Sequence, residues 1–191
     1  MDFRHKKLIS QKGFLMNTNE AIAQRRSIRK FINKEIPQDI VLKILNAGIE
    51  SPSAKNRQPW KYIVITNKTK NTMLTIIEEG IQEGQKANKE NKRKTVSSAA
   101  NTLRAMREAP ITVFVVNTDN RFTLETDIEE KFYEIANIQS IGASIENMLL
   151  EATELGIGSL WICDIFSAYE GLCKWLNIDK QLIAAISFGY A

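Results

Sequence analysis

The sequence predicts an α/β or α+β layered domain. Segments with helical periodicity come first along the chain, and β-branched or aromatic runs then alternate with further helical segments. The 191 residues are 43% hydrophobic and carry a formal net charge of only +4, which suits one folded domain better than a disordered chain. No apolar run approaches the roughly 20 residues that a membrane-spanning helix needs.

Two helices are predicted near the start of the fold. A short helix over 17–26 takes Thr18 or Asn19 as its N-cap, because short oxygen-bearing side chains accept bonds from the first free N–H groups. Pro37 opens a second helix, since proline lacks the N–H that a first turn leaves unpaired, and Pro52 ends it. One face of this helix is formed by Ile40, Val41, Ile44, Leu45 and Gly48.

A turn, a strand and a long helical stretch follow. Residues 51–59 read SPSAKNRQP, a composition typical of a turn. Residues 60–66, WKYIVIT, are aromatic and β-branched and predict a strand. The stretch 68–108 is helical in pattern, apart from a polar basic tract over 86–94, and Pro110 closes it.

The C-terminal half is predicted to alternate strands and helices. The long helix there has an apolar stripe wide enough to be covered on more than one side, by a second subunit or by an ordinary core. Spacing alone does not fix the direction of the strands. The predicted elements are a buried strand over 111–116, a loop over 117–130, the long helix over 138–155, a strand over 159–165, a short helix over 169–176 and a strand over 182–188.

The first fifteen residues are predicted to be a disordered leader outside the fold, followed by a single domain over 16–191. Residues 1–15 lack the apolar core and the small-residue cleavage site of a signal peptide. Lys12 and Gly13 reverse-translate to a sequence that resembles a ribosome-binding site, so we expect natural translation to start at Met16. A genuine flexible arm starting at Met1 is the alternative.

The residue counts exclude several kinds of active site. His5 is the only histidine, so the fold over 16–191 has no imidazole for a catalytic triad, a multi-histidine metal site or general acid–base chemistry. Cys163 and Cys173 lie ten residues apart without a second cysteine-rich element, and a buried, reduced pair is expected. If the chain is an enzyme, an organic cofactor is the expected source of its reactivity.

Positive charge is concentrated in two places. Residues 1–15 carry a net charge of +3 and the tract 86–94 carries +4, so the remainder of the chain is net negative. The basic balance is therefore weak support for nucleic-acid binding.

Three segments could carry chemistry. Arg25, Arg26 and Arg29 surround Ser27, and guanidinium groups bind phosphate oxygens in pairs, although such a cluster is also typical of a solvated helix end. The proline-bounded turn 52–59 could present Ser and Asn side chains to a planar ring, or could simply join a helix to a strand. The Gly-Ile-Gly sequence at 156–158 permits close approach of backbone to a ligand, or merely caps a helix; it is not a dinucleotide-binding motif.

Four ordered segments resemble those of the nitroreductase family of FMN-dependent oxidoreductases, from Ala21 almost to the end of the chain. They read RRSIRKF, SPSAKNRQPWKYIV, IGASIENMLLEATELGIGSLWIC and LNIDKQLIAAISFGYA. The resemblance implies a three-layer α+β fold with a central, mostly antiparallel sheet flanked by helices. It also implies an intertwined homodimer with two FMN sites at the subunit interface.

The resemblance also implies roles for individual residues. The FMN phosphate is bound by Arg25, Arg26, Ser27 and Arg29. The flavin is reached from the partner subunit by Pro52, Ser53 and Asn56. Trp161 and Ile162 pack against the ring, and a backbone N–H near Cys163 faces flavin N5. No side chain acts as a catalytic group.

The implied reaction is hydride transfer from NAD(P)H through flavin N5 to nitroaromatic or quinone-like acceptors in a ping-pong cycle. We expect the enzyme in the cytoplasm, with neither a membrane nor nucleic acid as partner. Candidate stacking residues on the open flavin face are Phe122, Phe132 and Tyr133. The alternatives are a flavoenzyme of the same fold acting on one metabolite, by dehalogenation, dehydrogenation or flavin breakdown, and a basic nucleic-acid-binding module.

Two positions depart from the family pattern or match it weakly. Many relatives place a basic residue after the final Gly-Tyr, where this sequence reads Gly189-Tyr190-Ala191. Either that phosphate contact is absent here or the sequence is shortened. Some relatives place an Asn and a Lys of a middle helix on the flavin; Asn101 and Arg104 have similar spacing but an uncertain register.

Overall fold

The computed structural model describes residues 16–87, 92–120 and 127–191. The predicted leader over 1–15, residues 88–91 of the basic tract and Phe122 lie outside the described residues. The described helices are α1 (Thr18–Gln24), α2 (Gln38–Ile49), α3 (Asn67–Ala87), α4 (Lys92–Glu108), α5 (Ile128–Glu154) and α6 (Tyr169–Leu176). The described strands are β1 (Trp60–Ile65), β2 (Ile111–Asn117), β3 (Gly158–Ile162) and β4 (Gln181–Gly189).

The four strands form one antiparallel sheet in the order β1-β2-β4-β3. Tyr62 of β1 lies opposite Val115 of β2, and Trp161 of β3 lies opposite Ile186 of β4. The register between β2 and β4 shifts between Val115 and Val116. This places β3 at one edge of the sheet, and the expected antiparallel sheet is confirmed.

Helices cover both faces of the sheet. On one face, Phe114 and Leu182 pack against residues of α3, α4 and α6 in one buried cluster. On the other face, Val113 and Ile186 pack against α5 residues, among them Met148, and against α2. Along β2, the alternation of side chains from Val113 to Val116 sends neighbouring residues to opposite clusters. The three-layer α+β architecture predicted from the sequence is therefore present.

Two close helix contacts depend on glycine. A Cβ at Gly48 of α2 would lie 2.7 Å from the Tyr62 hydroxyl and 2.9 Å from Cγ of Met148. A Cβ at Gly80 of α3 would lie 2.5 Å from the backbone oxygen of Ser167, in the 3₁₀ turn Asp164–Ala168. A side chain at either position would force neighbouring atoms apart, so these helices approach their neighbours closely only because glycine is there.

Three predicted boundaries are wrong. The N-cap of α1 is Asn17 instead of Thr18 or Asn19, because its side chain accepts from the Glu20 N–H at 3.0 Å. The long helix begins at Ile128 instead of residue 138, because the Asp127 side chain caps it by accepting from the Glu130 N–H at 2.8 Å. The predicted loop over 117–130 therefore ends earlier. Strand β3 ends at Ile162, and Ile165 lies in the 3₁₀ turn while only 1% exposed. A short apolar run does not by itself distinguish a strand from a buried turn.

A buried polar network joins α5 to the ends of β2 and β4. The Glu134 carboxylate accepts from Lys131 Nζ at 2.6 Å and from Gln181 Nε2 at 2.8 Å. The Gln181 side-chain oxygen accepts from Asn117 Nδ2 at 3.1 Å. The hydrogen bond from Lys131 lowers the pKa of Glu134, against the opposing effect of burial. The charge on Glu134 therefore helps to hold the N-terminal half of α5 on the sheet.

Candidate functional site

The basic segment around Ser27 lies against the edge strand β3. Ser27 forms a parallel bridge with Ser159, and the Ile28 N–H donates to the Ser159 carbonyl oxygen at 2.8 Å. These two segments are separated by more than 130 residues in sequence, so only the fold brings them together. The arginines of the basic segment and the exposed Trp161 are thereby carried on adjoining stretches of backbone.

The three arginines of this segment are partly held by their surroundings and keep donors to spare. Arg26 Nη1 donates to the backbone oxygens of Ala23 and Arg25 at 2.9 and 2.7 Å. Arg29 Nη1 donates to the Ser27 carbonyl oxygen at 3.3 Å. Arg26 and Arg29 are exposed and Arg25 is half-buried. Because a guanidinium group has five N–H donors, these contacts leave several available to an anion.

Arg25 has a carboxylate neighbour. Its Nε lies 3.5 Å from Oε1 of Glu146 on α5, and both side chains remain substantially exposed. An exposed ion pair of this kind contributes little to stability because water screens it. It can nevertheless fix the orientation of Arg25 beside the exposed Ser27 hydroxyl. The donor set of the segment thus fits a phosphate group.

Strand β3 presents one large side chain outside the core. Trp161 is 39% exposed, and a Cβ at Gly142 of α5 would lie 4.0 Å from its Cη2 atom. Leu160 and Ile162, on the other face of the strand, belong to the buried cluster beneath α3 and α4. The position of the Ile162 side chain therefore does not fit the prediction that it packs against a flavin ring. Its side chain is 3% exposed, because side chains alternate along a strand and Trp161 takes the outer face.

The two cysteines do not form the buried pair that was expected. Cys163, immediately after β3, is exposed, whereas Cys173 on α6 is half-buried. Both are reduced. Burial raises the pKa of the Cys173 thiol, so this side chain stays neutral near pH 7. Because Cys163 is exposed, solvent reaches the end of β3.

The proline-bounded turn is held against α5. The Ala54 N–H donates to Ser140 Oγ at 3.1 Å, and the Gln58 N–H donates to Ser53 Oγ at 2.9 Å. Among the three predicted flavin contacts here, Pro52 and Asn56 are exposed and Ser53 is half-buried. Strand β3 thus holds the basic segment through backbone contacts, and α5 holds the proline-bounded turn through Ser140.

Lys55 and Arg57 of this turn are functional candidates that the sequence reasoning missed. Lys55 Nζ lies 5.6 Å, and Arg57 Cζ 4.3 Å, from the centre of the Tyr133 ring on α5. Both distances fall within the range of a cation–π interaction. The only signal in the sequence was the pair of positive charges inside a turn that already contained candidate ligands. Tyr133, predicted as a stacking residue, thus lies beside two cations.

The other predicted aromatic contact lies on an exposed apolar stripe of α5. Phe132 is 67% exposed, and residues one turn before and after it on the same face are exposed as well. Asn101 and Arg104, on α4, are also exposed. The α5 stripe consists of Ile128, Phe132, Ile135 and Ile138.

The described residues contain neither a membrane-spanning helix nor a metal site. In residues 16–87, 92–120 and 127–191, no helix is both long and apolar enough to cross a bilayer. The same residues hold no group of three or more His, Cys, Asp or Glu side chains that could bind a metal ion.

A family model described as the nitroreductase family matches residues 22–190. The chain belongs to the nitroreductase family. The chain is 28% identical over 181 residues to a protein from Methanothermobacter thermautotrophicus provisionally named an NADH dehydrogenase/NAD(P)H nitroreductase, with 92% of this chain and 78% of the relative covered. A protein of the same provisional name from Archaeoglobus fulgidus is 30% identical over 174 residues, covering 88% of this chain and 82% of the relative.

More distant relatives include a dehalogenase. An iodotyrosine dehalogenase 1 homologue from Caenorhabditis elegans is 25% identical over 183 residues, with 90% of this chain and 54% of the relative covered. The chain thus spans about half the length of that relative.

Solved structures agree with the family assignment. A BluB-like flavoprotein from Clostridium difficile is 26% identical, with a TM-score of 0.76 and coverage of 91% of this chain and 90% of that one. A provisionally named nitroreductase from Desulfovibrio desulfuricans, crystallised in complex with FMN, is also 26% identical, with a TM-score of 0.67 and coverage of 91% and 85%. The predicted family and α+β class are confirmed, and with them an enzyme of the oxidoreductase class.

Proposed function

We propose that this protein is an FMN-dependent oxidoreductase that takes a hydride from NAD(P)H and delivers it to nitroaromatic or quinone-like acceptors in a ping-pong cycle. FMN is its cofactor and NAD(P)H its electron donor. The observation that carries the proposal is the bridge between Ser27 and Ser159, which sets a three-arginine segment beside the strand that exposes Trp161.

The residues of the basic segment fit the phosphate of FMN. Planar guanidinium groups and a hydroxyl suit a doubly charged phosphate, and each charge-assisted hydrogen bond contributes about 1.5–3 kcal/mol. Arg25, Arg26, Ser27 and Arg29 would hold this group, and Glu146 would keep Arg25 oriented.

Strand β3 fits the ring of the cofactor. Trp161 offers an apolar aromatic surface at the sheet edge, which would exclude water from one face of the ring. The Ser159 carbonyl faces the basic segment, so the alternation of the strand directs the Trp161 backbone to the same free edge. By the same alternation, Ile162 at the end of β3 directs its carbonyl oxygen toward β4, so the N–H of the next residue, Cys163, would face the free edge and donate to flavin N5.

When bound, FMN supplies a ring that accepts a hydride from NAD(P)H and then reduces a second substrate. The protein needs no side-chain nucleophile for this chemistry. Its residues position the two substrates in turn, keep the ring surface dry and donate hydrogen bonds that adjust the flavin. The absence of histidine from the fold over 16–191 is compatible with this division of roles.

The functional unit in this proposal is a homodimer. No described element covers the apolar stripe of α5, and Ile128 and Phe132 are accordingly 78% and 67% exposed. Two copies that bury this stripe would also bring Pro52, Ser53 and Asn56 of one subunit to the flavin of the other. The cytoplasmic location expected from the sequence stays a prediction.

A flavoenzyme of the same fold acting on a specific metabolite is the second candidate. The similarity to an iodotyrosine dehalogenase homologue favours it. The rate at which NAD(P)H reduces the bound flavin separates the two candidates. Rapid reduction followed by reoxidation with a quinone supports the first, whereas slow reduction by both nucleotides supports the second.

Cofactor binding tests the assignment of the phosphate segment. We expect Arg25→Ala and Ser27→Ala each to raise the FMN dissociation constant, by at least about 10-fold for Arg25 because a charge-assisted bond is lost. Arg107→Ala is the matched control, since Arg107 is also an exposed arginine, with its Nη2 3.9 Å from Glu78. A titration of the apoprotein with FMN, followed by flavin fluorescence, measures all three. Equal FMN affinity in the Arg25 and Arg107 variants would contradict the assignment.

A further inference from the structure

The turn 52–59 carries two cations in a conformation that most residues avoid. Lys55, Asn56 and Gln58 have φ values of 54°, 53° and 50°, in the left-handed region. Lysine and glutamine pay a steric cost there, and such strain persists only where the surroundings enforce it. Hydrogen bonds from the turn to Ser53 and Ser140 enforce it here.

Lys55 in the left-handed region and Arg57 in the right-handed helical region both reach the same aromatic ring. Lys55 Nζ and Arg57 Cζ lie 5.6 and 4.3 Å from the centre of the Tyr133 ring. Both side chains are exposed at their own positions in the turn. Tyr133 thus acts as a positioning residue, because attraction to the ring face limits where two otherwise flexible side chains point.

Among the described residues, no carboxylate pairs with either of the two positive charges. Within the described part of the chain, no Asp or Glu oxygen lies within 4 Å of Lys55 or Arg57. Glu129 and Glu130, in the first turn of α5, are also outside that distance. Cations without a paired carboxylate attract an anion, which accepts charge-assisted hydrogen bonds from their ammonium and guanidinium groups.

We propose that Lys55 and Arg57, oriented by Tyr133, form an anion-binding subsite that selects reactants carrying a carboxylate or phosphate beside their reacting ring. The inference rests on the proposed function, because the same turn supplies Ser53 and Asn56 to the flavin site. Two sources of the anion share this chemistry. One is an acceptor with a carboxylate substituent, and the other is the 2′-phosphate that distinguishes NADPH from NADH.

Binding to the full-length, FMN-loaded protein tests the subsite without turnover. The probe is 4-nitrobenzoate, with neutral 4-nitrobenzamide as its uncharged counterpart, and calorimetry gives both dissociation constants. We expect the wild type to prefer the carboxylate, and Lys55→Gln or Arg57→Gln each to lower that preference by about fivefold. The preference should also weaken as salt is added. Lys61→Gln, which removes an exposed lysine of β1, is the matched control and should leave the preference unchanged.

The positioning role of Tyr133 has its own readout. Tyr133→Phe keeps the ring and should keep the preference for 4-nitrobenzoate. Tyr133→Leu removes the ring and should lower the preference for 4-nitrobenzoate over 4-nitrobenzamide. If the Leu variant instead weakens both ligands equally, Tyr133 merely supports the turn and its proposed role is overturned.

The oxidised nucleotides NADP⁺ and NAD⁺, which differ by the same 2′-phosphate and cannot reduce the flavin, form the second arm of the experiment. If the Lys55 and Arg57 variants lose affinity for NADP⁺ but not NAD⁺, the anion is the 2′-phosphate; if they lose the preference for 4-nitrobenzoate, it is the acceptor carboxylate. Either result supports the subsite. It is overturned if the variants bind charged and neutral partners in the wild-type ratio in both arms. Calorimetry measures binding and does not require reduction of the flavin. Loss of selectivity in the variants would therefore support the subsite even if NAD(P)H failed to reduce the flavin. Failure of that reduction would count against the proposed function alone.

Discussion

The exposed stripe of α5 leads to a quantitative prediction about dimerisation. Phe132 is 67% exposed in the single chain. Complete burial of a phenylalanine side chain stabilises by about 1.5–3 kcal/mol, so burying the exposed two-thirds contributes about 1–2 kcal/mol per copy. A two-fold interface buries the side chain twice, which gives about 2–4 kcal/mol for the dimer. Replacement by serine should therefore raise the dimer dissociation constant about 30- to 900-fold.

Sedimentation of Phe132→Ser across a dilution series measures this constant directly. Phe132→Leu is the control, because leucine retains an apolar side chain and should shift the constant by far less. The fold of each subunit should survive both changes, since most of the ring lies outside the core; circular dichroism checks this. A serine variant that dissociates at the same concentration as the wild type would show that Phe132 is not at the interface.

Two further predictions concern stability. Gly80→Ala places a Cβ 2.5 Å from a backbone oxygen that has little room to move, and should destabilise the fold by about 1–3 kcal/mol in urea unfolding. Gly84→Ala, in the same helix but with nothing within 4 Å of the new Cβ, should instead stabilise it by up to about 1 kcal/mol; equal losses in both variants would contradict the packing argument. The hydrogen bond from Lys131 lowers the pKa of Glu134 below its ordinary value of 4.5. The ionised carboxylate therefore stabilises the fold fully above pH 4.5, and this contribution is lost as the pH falls through the lower pKa of the folded state. Glu134→Gln should flatten this part of the stability profile, and an unchanged slope between neutral pH and about pH 3 would refute the assignment.

Much of the secondary structure could be predicted because it depends on local chemistry. The apolar spacing between Ile40 and Gly48 identified α2, and the β-branched run at 111–116 identified β2. The N-terminus of α5 was missed, although Asp127 and the acidic residues after it carried the capping signal. The apolar side chain of Ile165 indicates only that this position is buried, and it does not distinguish a strand from the 3₁₀ turn in which Ile165 lies.

The sequence by itself determined the family, through four ordered motifs, and the residue types of the candidate site. Only the tertiary structure decided which of those residues meet. Ser27 and Ser159 meet at the sheet edge, and strand alternation turns Ile162 inward. Lys55 and Arg57 reach the same Tyr133 ring because the turn holds Lys55 in the left-handed region and Arg57 in the right-handed helical region. The physical reason is that residue type fixes the chemistry a side chain can perform, whereas its direction and neighbours depend on backbone dihedrals and on contacts between distant segments.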